Sequence, residues 1–102
     1  MSGDEIRLYC KSKGFSEAYT AYWVLHPNCE VCLQVYPNSW RPSQTVHHIK
    51  TRGAGGEDIH ENLLALCRIH DRVIHSQGDR EVARLVGGQV AAKIFAVKGE
   101  EG

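Results

Sequence analysis

The pattern of apolar and polar positions over residues Asp4 to His26 reads as helical in two pieces, broken at Lys13-Gly14. Ser16 stands ahead of Ala18, Ala21 and Tyr22, where the N-cap of the second helix is expected. Pro27-Asn28-Cys29-Glu30-Val31-Cys32 predicts a turn carrying two thiols, and Pro37 and Pro42 make Leu33–Ser43 read as loop. The β-branched run Thr45–Ile49 predicts a short strand, Thr51–Asp58 a glycine-rich loop, and Leu63–Leu66 a second strand. From Arg68 a helix is expected through Ser76 to Gly78. Asp79 can cap a last helix with Val82, Leu85 and Val86 on one face. Gly87-Gly88 weakens that helix before Val90–Val97 resumes it, and the closing GEEG reads as a frayed tail. There is no internal repeat and no low-complexity tract.

A chain of 102 residues suits one domain. With 42% hydrophobic and 24% charged residues it has the composition of a folded protein. A core of this size gains from a staple such as a metal. The longest apolar runs, Ala21–Leu25, Leu63–Cys67 and Ile94–Val97, fall far short of the ~18 residues of a membrane span. The opening MSGDEIRLYCKSKG lacks a charged-then-apolar export pattern, so a cytoplasmic location is expected. The four cysteines then read as thiols or metal ligands rather than disulfides. The formal net charge of zero argues against a generic nucleic-acid coat, so contact with DNA would rest on a local basic patch. Arg41, Lys50 and Arg52 bracket the pair His47-His48, with no acid between Arg41 and Arg52. Arg72 follows on a helical segment with Arg68, Arg80 and Arg84, diluted by Asp71, Asp79 and Glu81. Modest, strongly salt-dependent DNA affinity is expected.

Cys29-x2-Cys32 and, far downstream, Cys67-x2-His70 have the spacing that zinc requires. Each pair bends one turn so that both ligands point at one ion, and two pairs complete a tetrahedron. A closed Cys3His set marks a structural zinc rather than a catalytic one. The alternative is a set of ordinary buried thiols beside an unrelated histidine. Cys10 lies outside both pairs and reads as a small core residue of the first helix. A redox role for Cys29-x2-Cys32 would need a βαβ context that the pattern lacks.

The segment VHHIKTRGAGGEDIHENLLALCRIHDRVIH sets a paired histidine, a Gly-Gly loop, an Asn before a Leu-rich strand and Cys-x2-His in one order. That ordered set resembles the HNH endonuclease family, in particular its compact phage and bacterial members with a zinc knuckle, over roughly Cys29 to His75. The resemblance implies an α+β fold with a ββα-metal core, meaning a two-stranded antiparallel hairpin plus a helix. A structural zinc knuckle and flanking N- and C-terminal helices complete it. One nuclease domain would cover 1–102, with its motif core at 29–75, a helical extension at 4–26 and a C-terminal helix at 79–98.

Position by position, His48 matches the general base that takes a proton from the attacking water. An imidazole titrating near pH 6.5 can do this without elaborate tuning. His47 matches a ligand of the catalytic metal, and neighbours on a strand point to opposite faces, which suits such a division. Asn62 matches a residue that ties strand to loop and so orients the base; the plainer alternative is a turn residue ahead of Leu63. Asp71 and His75, one helical turn apart, lie about 5–6 Å apart at Cβ and can share an ion with His47. The family more often has histidine where this chain has Asp71. Aspartate suits Mg2+ or Mn2+, and a plain surface ion pair with His75 is the alternative. A rival assignment puts His75 at the zinc and His70 at the catalytic metal, which the x2 spacing disfavours. His26 and His60 match no motif position and are expected on the surface.

The resemblance implies cofactors of structural Zn2+ and one catalytic divalent metal (Mn2+, Mg2+, Ni2+, Co2+ or Zn2+), DNA as substrate, and 5′-phosphate and 3′-hydroxyl ends. Arg41, Lys50, Arg52 and Arg72 are the candidate DNA contacts, and Gly53–Gly56 could let the backbone approach closely. Sequence specificity, oligomeric state and any targeting or phage packaging partner protein stay open. The runner-up is a non-catalytic zinc-knuckle nucleic-acid-binding module. It would need Cys29, Cys32, Cys67 and His70 but place no demand on His47, His48, Asn62 or His75.

Overall fold

The computed structural model describes residues 1–100. Helix α1 (Gly3–Lys13) opens on a capping box: Ser2 Oγ accepts from the Glu5 N–H while the Glu5 carboxylate accepts from the Ser2 N–H. Gly14, at φ 73°, ends α1 in the left-handed region. Ser16 caps α2 (Glu17–Leu25), its Oγ accepting from the Tyr19 N–H at 3.1 Å. The break between the two helices lies where the sequence places it.

Residues expected to continue as turn and loop instead form α3 (Glu30–Val35), with Cys29 as its N-cap. Six residues show no period to read, and a helix this short survives only by packing. Val31 and Cys32 are buried. Glu30 makes the joint: its Oε2 accepts the Tyr22 hydroxyl at 2.6 Å and the Ala65 N–H at 2.7 Å, tying α2, α3 and the sheet.

Strands β1 (Thr45–His48) and β2 (Leu63–Leu66) form an antiparallel hairpin, pairing Thr45 with Leu66 and His48 with Leu63. Its two faces enter two different cores. Val46, Leu63 and Ala65 pack with Ile6, Tyr19 and Trp23 of α1 and α2. Leu64 and Leu66 pack with the cysteine cluster, Ile74, Ala83 and Ile94. Burial on both faces explains why β2 reads as an unbroken apolar run, as in sheets covered on both sides.

Helix α4 (Arg68–Gln77) follows, and then the expected single C-terminal helix divides into α5 (Asp79–Val86) and α6 (Gly88–Lys98). Gly87 and Gly88 both take positive φ. Gln34 fills the break: its Nε2 donates to the carbonyls of Val86 and Gly87, and its Oε1 accepts from the Val90 N–H. One side chain thus satisfies the end of one helix and the start of the next. Leu85, expected on the inner face of α5, is exposed, and Ala83 takes the buried place. Gly78 rather than Asp79 is the α5 N-cap, which frees the Asp79 side chain for another use. Of the expected tail, residues 101 and 102 lie outside the described residues. No helix described is long and apolar enough to cross a membrane.

Candidate metal centres and active site

Cys29 and Cys67 are the N-caps of α3 and α4, so each pair of candidate ligands straddles the first turn of a helix. Backbone N–H groups of Cys32 and His70 donate to the sulfurs of Cys29 and Cys67 at 3.4 and 3.5 Å. His70 Nδ1 lies 3.4 Å from each of the three sulfurs, and Cys32 Sγ lies 3.9 Å from Cys67 Sγ. Tetrahedral zinc, with Zn–S of about 2.3 Å and Zn–N of about 2.0 Å, sets its ligand atoms roughly 3.5–3.8 Å apart. The four side chains therefore fit a closed zinc site. Burial pushes the Cys29 thiol up to about 12, so without a cation it would stay protonated. Helix N-termini, N–H donors and a bound cation all favour the thiolate. Burial, then the Arg41 guanidinium, holds the His70 imidazole below its ordinary range and so in its neutral, ligating form.

A second cluster gathers His47, Asp71 and His75, whose ligand atoms all lie within 4.8 Å of one another. Asp71 Oδ1 is 3.3 Å from His75 Nε2, and the His47 and His75 rings meet edge-on at 5.2 Å. His47 is buried and His75 exposed, so the cluster opens to solvent on one side. Two imidazoles and a carboxylate with free positions suit an exchangeable divalent cation. His47 Nε2 is bonded to Asp79 Oδ2 at 2.8 Å, and Lys98 Nζ donates to Asp79 Oδ1 at 3.2 Å. Burial would raise the Asp79 carboxyl, but its bonds to His47 and Lys98 outweigh it and hold the group below the usual carboxylate range. An ionised carboxylate only accepts, so His47 Nε2 carries the proton and Nδ1 keeps the lone pair.

His48 leaves β1 on the opposite face. Its Nε2 lies 2.6 Å from Asp58 Oδ1, and its ring stacks on Tyr19 at 5.8 Å and 21°. Tyr19 is itself pinned to the strand, its hydroxyl donating to the Val46 carbonyl and accepting the Val46 N–H, both at 3.3 Å. Arg52 Nε approaches His48 Nε2 at 3.3 Å and its Nη2 approaches Asp58 at 3.6 Å. Nε2 cannot both donate and accept. The shorter, charge-assisted contact to Asp58 takes the Nε2 proton, and Arg52 acts as a charge beside the carboxylate.

Asn62, buried immediately before β2, accepts from the Lys50 N–H at 2.7 Å and donates to the carbonyls of Lys50 and Glu57 at 3.0 Å each. All three of its bonds hold the two ends of the glycine loop together. In that loop Gly56 leaves no room for a side chain, since a Cβ there would sit 1.8 Å from the Lys50 carbonyl oxygen. Its role in closing the turn is thus steric. Arg41, Lys50, Arg52 and Arg72 are all exposed. Arg80 and Arg84 instead hold the carbonyls of Lys98, Gly99 and Glu100. His60 is exposed and His26 half-buried, and both rings pack against Tyr22. His70 sits with the thiols and His75 with His47, so the rival exchange of those two histidines does not occur.

Tyr19, Asp58 and Asp79 are the site residues that sequence reasoning missed. Asp58 ends the glycine loop and Asp79 begins a helix, where acids have ordinary local uses. No spacing rule connects either to the histidine pair.

Residues 29–69 match the sequence model of the HNH endonuclease family. The family read from the order of motifs is the one that this stretch matches. The matched stretch holds His47, His48, Asn62 and three of the four zinc-type ligands, and stops one residue before His70. No curated protein and no solved structure matches the chain.

Proposed function

We propose, from the chain's place in the HNH endonuclease family, that it is a metal-dependent DNA endonuclease with a structural zinc at Cys29, Cys32, Cys67 and His70. The observation that carries the proposal is the division of the histidine pair. One short strand sends His47 into a three-ligand cluster with Asp71 and His75 and sends His48 to a separate hydrogen-bonded pocket. A non-catalytic binding module would have no use for that division.

A divalent ion held by His47, Asp71 and His75 would supply charge stabilisation for the phosphate and the departing 3′ oxygen. His48 acts as the general base, its unprotonated Nδ1 accepting the proton of the attacking water. Asp79 orients His47, and Asn62 holds the loop on which Lys50 and Arg52 are presented. Arg41, Lys50, Arg52 and Arg72 offer phosphate contacts without base reading. A monomer with one such site would nick single strands.

Nicking of supercoiled plasmid by the purified protein is expected with Mn2+, Co2+ or Ni2+ at least as fast as with Mg2+, and is expected to stop in EDTA. His48→Ala should lower the rate by roughly 10²–10⁴-fold while zinc content, thermal stability and DNA binding stay near wild type. A stable, zinc-loaded His48→Ala protein that nicks at the wild-type rate would end the proposal.

A further inference from the structure

We infer that Asp58, itself held by Ser16 of the N-terminal helical hairpin, is the positioning residue that sets the tautomer and orientation of His48. The inference deepens the function proposed above and rests on His48 being its base. Four contacts converge on this point. Asp58 Oδ1 takes the His48 Nε2 proton at 2.6 Å, and Asp58 Oδ2 accepts the Ser16 hydroxyl at 2.6 Å. Arg52 stands beside the same carboxylate at 3.6 Å. Tyr19, one turn along α2 from Ser16, stacks on the imidazole. Both oxygens of Asp58 are thereby used, and the imidazole can neither swing about its ring axis nor exchange its protonated nitrogen without breaking a short contact.

The consequence is chemical. A carboxylate can only accept, so the neutral His48 ring must carry its hydrogen on Nε2, and Nδ1 alone is left to take a proton. Among the described residues Nδ1 has no hydrogen-bond partner, which leaves it available to a water. Ser16 serves two ends at once, since its oxygen also accepts the Tyr19 N–H as the α2 cap. The N-terminal segment 3–25, outside the stretch that matches the family, thus reaches the base through Ser16 and Asp58 and through the stacked Tyr19 ring. Nothing in the pairing of β1 with β2 would otherwise hold the His48 ring in one orientation. A misplacement of about 1 Å can lower a rate on the order of 100-fold.

Two measurements on the zinc-loaded chain test this. Nitrogen-15 spectra at pH 8, with no divalent ion added, should show His48 protonated at Nε2 in the wild type and mixed or reversed in Asp58→Asn. With Mn2+ and plasmid, Asp58→Asn should lower kcat roughly 10- to 100-fold at nearly unchanged KM, less than the loss expected for the base itself. Asp58→Glu should recover part of that loss, and Ser16→Ala should lower kcat several-fold. A wild-type His48 protonated at Nδ1 would overturn the inference, as would Asp58→Asn with unchanged kcat or a loss confined to KM. If Asp58→Asn fails to fold, the wild-type tautomer and the Asp58→Glu rate decide the matter. A failure of the base assignment looks different: His48→Ala would still nick, while the Nε2 tautomer of the wild type persisted.

Discussion

Asp58 shows how one side chain changes meaning with its neighbours. Burial pushes its carboxyl up, but the bonds to His48 and Ser16 and the Arg52 charge outweigh burial and hold it below the usual carboxylate range. A depressed carboxylate stabilises the fold above the unfolded value near pH 3.9, and that contribution is lost as pH falls through the folded value. The wild type should therefore exceed Asp58→Asn in thermal stability at pH 6, with the gap narrowing progressively below about pH 5. Zinc loss at low pH affects both proteins and cancels in the difference; a gap that widened on acidification would contradict the assignment. Asp71 gives a second test at this scale. Asp71→His should retain nicking and move the preference away from Mg2+ towards softer ions, because imidazole binds Mg2+ poorly. Equal Mg2+ activity in both proteins would remove Asp71 from the metal site. His47, His48, Asn62 and the zinc-type ligands were legible because their spacing is local or belongs to an ordered motif. The carboxylates that hold them were not, since Asp58–His48 and Asp79–His47 are separated by 10 and 32 residues with no pattern between.

At the scale of elements, α5 reaches β1 through the buried Asp79–His47 contact. Asp79, read from sequence as a cap, fixes the His47 ring. Loss of such an outer partner typically weakens metal binding 10–100-fold. Asp79→Asn should therefore raise the Mn2+ dissociation constant by about that factor in calorimetry while leaving zinc content unchanged. An unchanged Mn2+ affinity would detach α5 from the metal cluster. The same level explains where the helix boundaries were misread. A six-residue helix such as α3 has too few positions for a periodicity, and Gly87-Gly88, read as a weak point within one helix, becomes a full division because Gln34, distant in sequence, satisfies both helix ends. Gln34→Ala leaves those groups short of partners and should destabilise by about 1–3 kcal/mol, measurable by urea denaturation.

For the molecule as a whole, the hairpin is a wall between two cores and the cysteine cluster belongs to only one of them. Zinc there would join α3 to the β2–α4 turn, so metal binding and folding should be coupled. Elemental analysis after long dialysis should find one zinc per chain, and Cys32→Ser should lower stability sharply; a folded, zinc-free wild type would refute the site. A neutral chain has few charges to spend on DNA. With about four exposed basic residues near the site, the logarithm of affinity should fall with the logarithm of salt with a slope of roughly −3 to −4. A much steeper slope would mean a wider interface than these residues provide.

The sequence by itself located the two strands and the two x2 pairs of zinc-type ligands, because each is written in local propensity or in spacing within a few residues. The order of its motifs carried the resemblance that residues 29–69 bear to the HNH endonuclease family. It also located the break between α1 and α2, where a glycine and a capping serine act on their own neighbours. Only the tertiary structure decided which acids hold the histidine pair and how the outer helices bear on the site. Those choices depend on contacts between residues far apart in the chain. Burial makes such contacts short and selective: once an imidazole is enclosed, its remaining polar neighbour fixes the nitrogen that carries the proton.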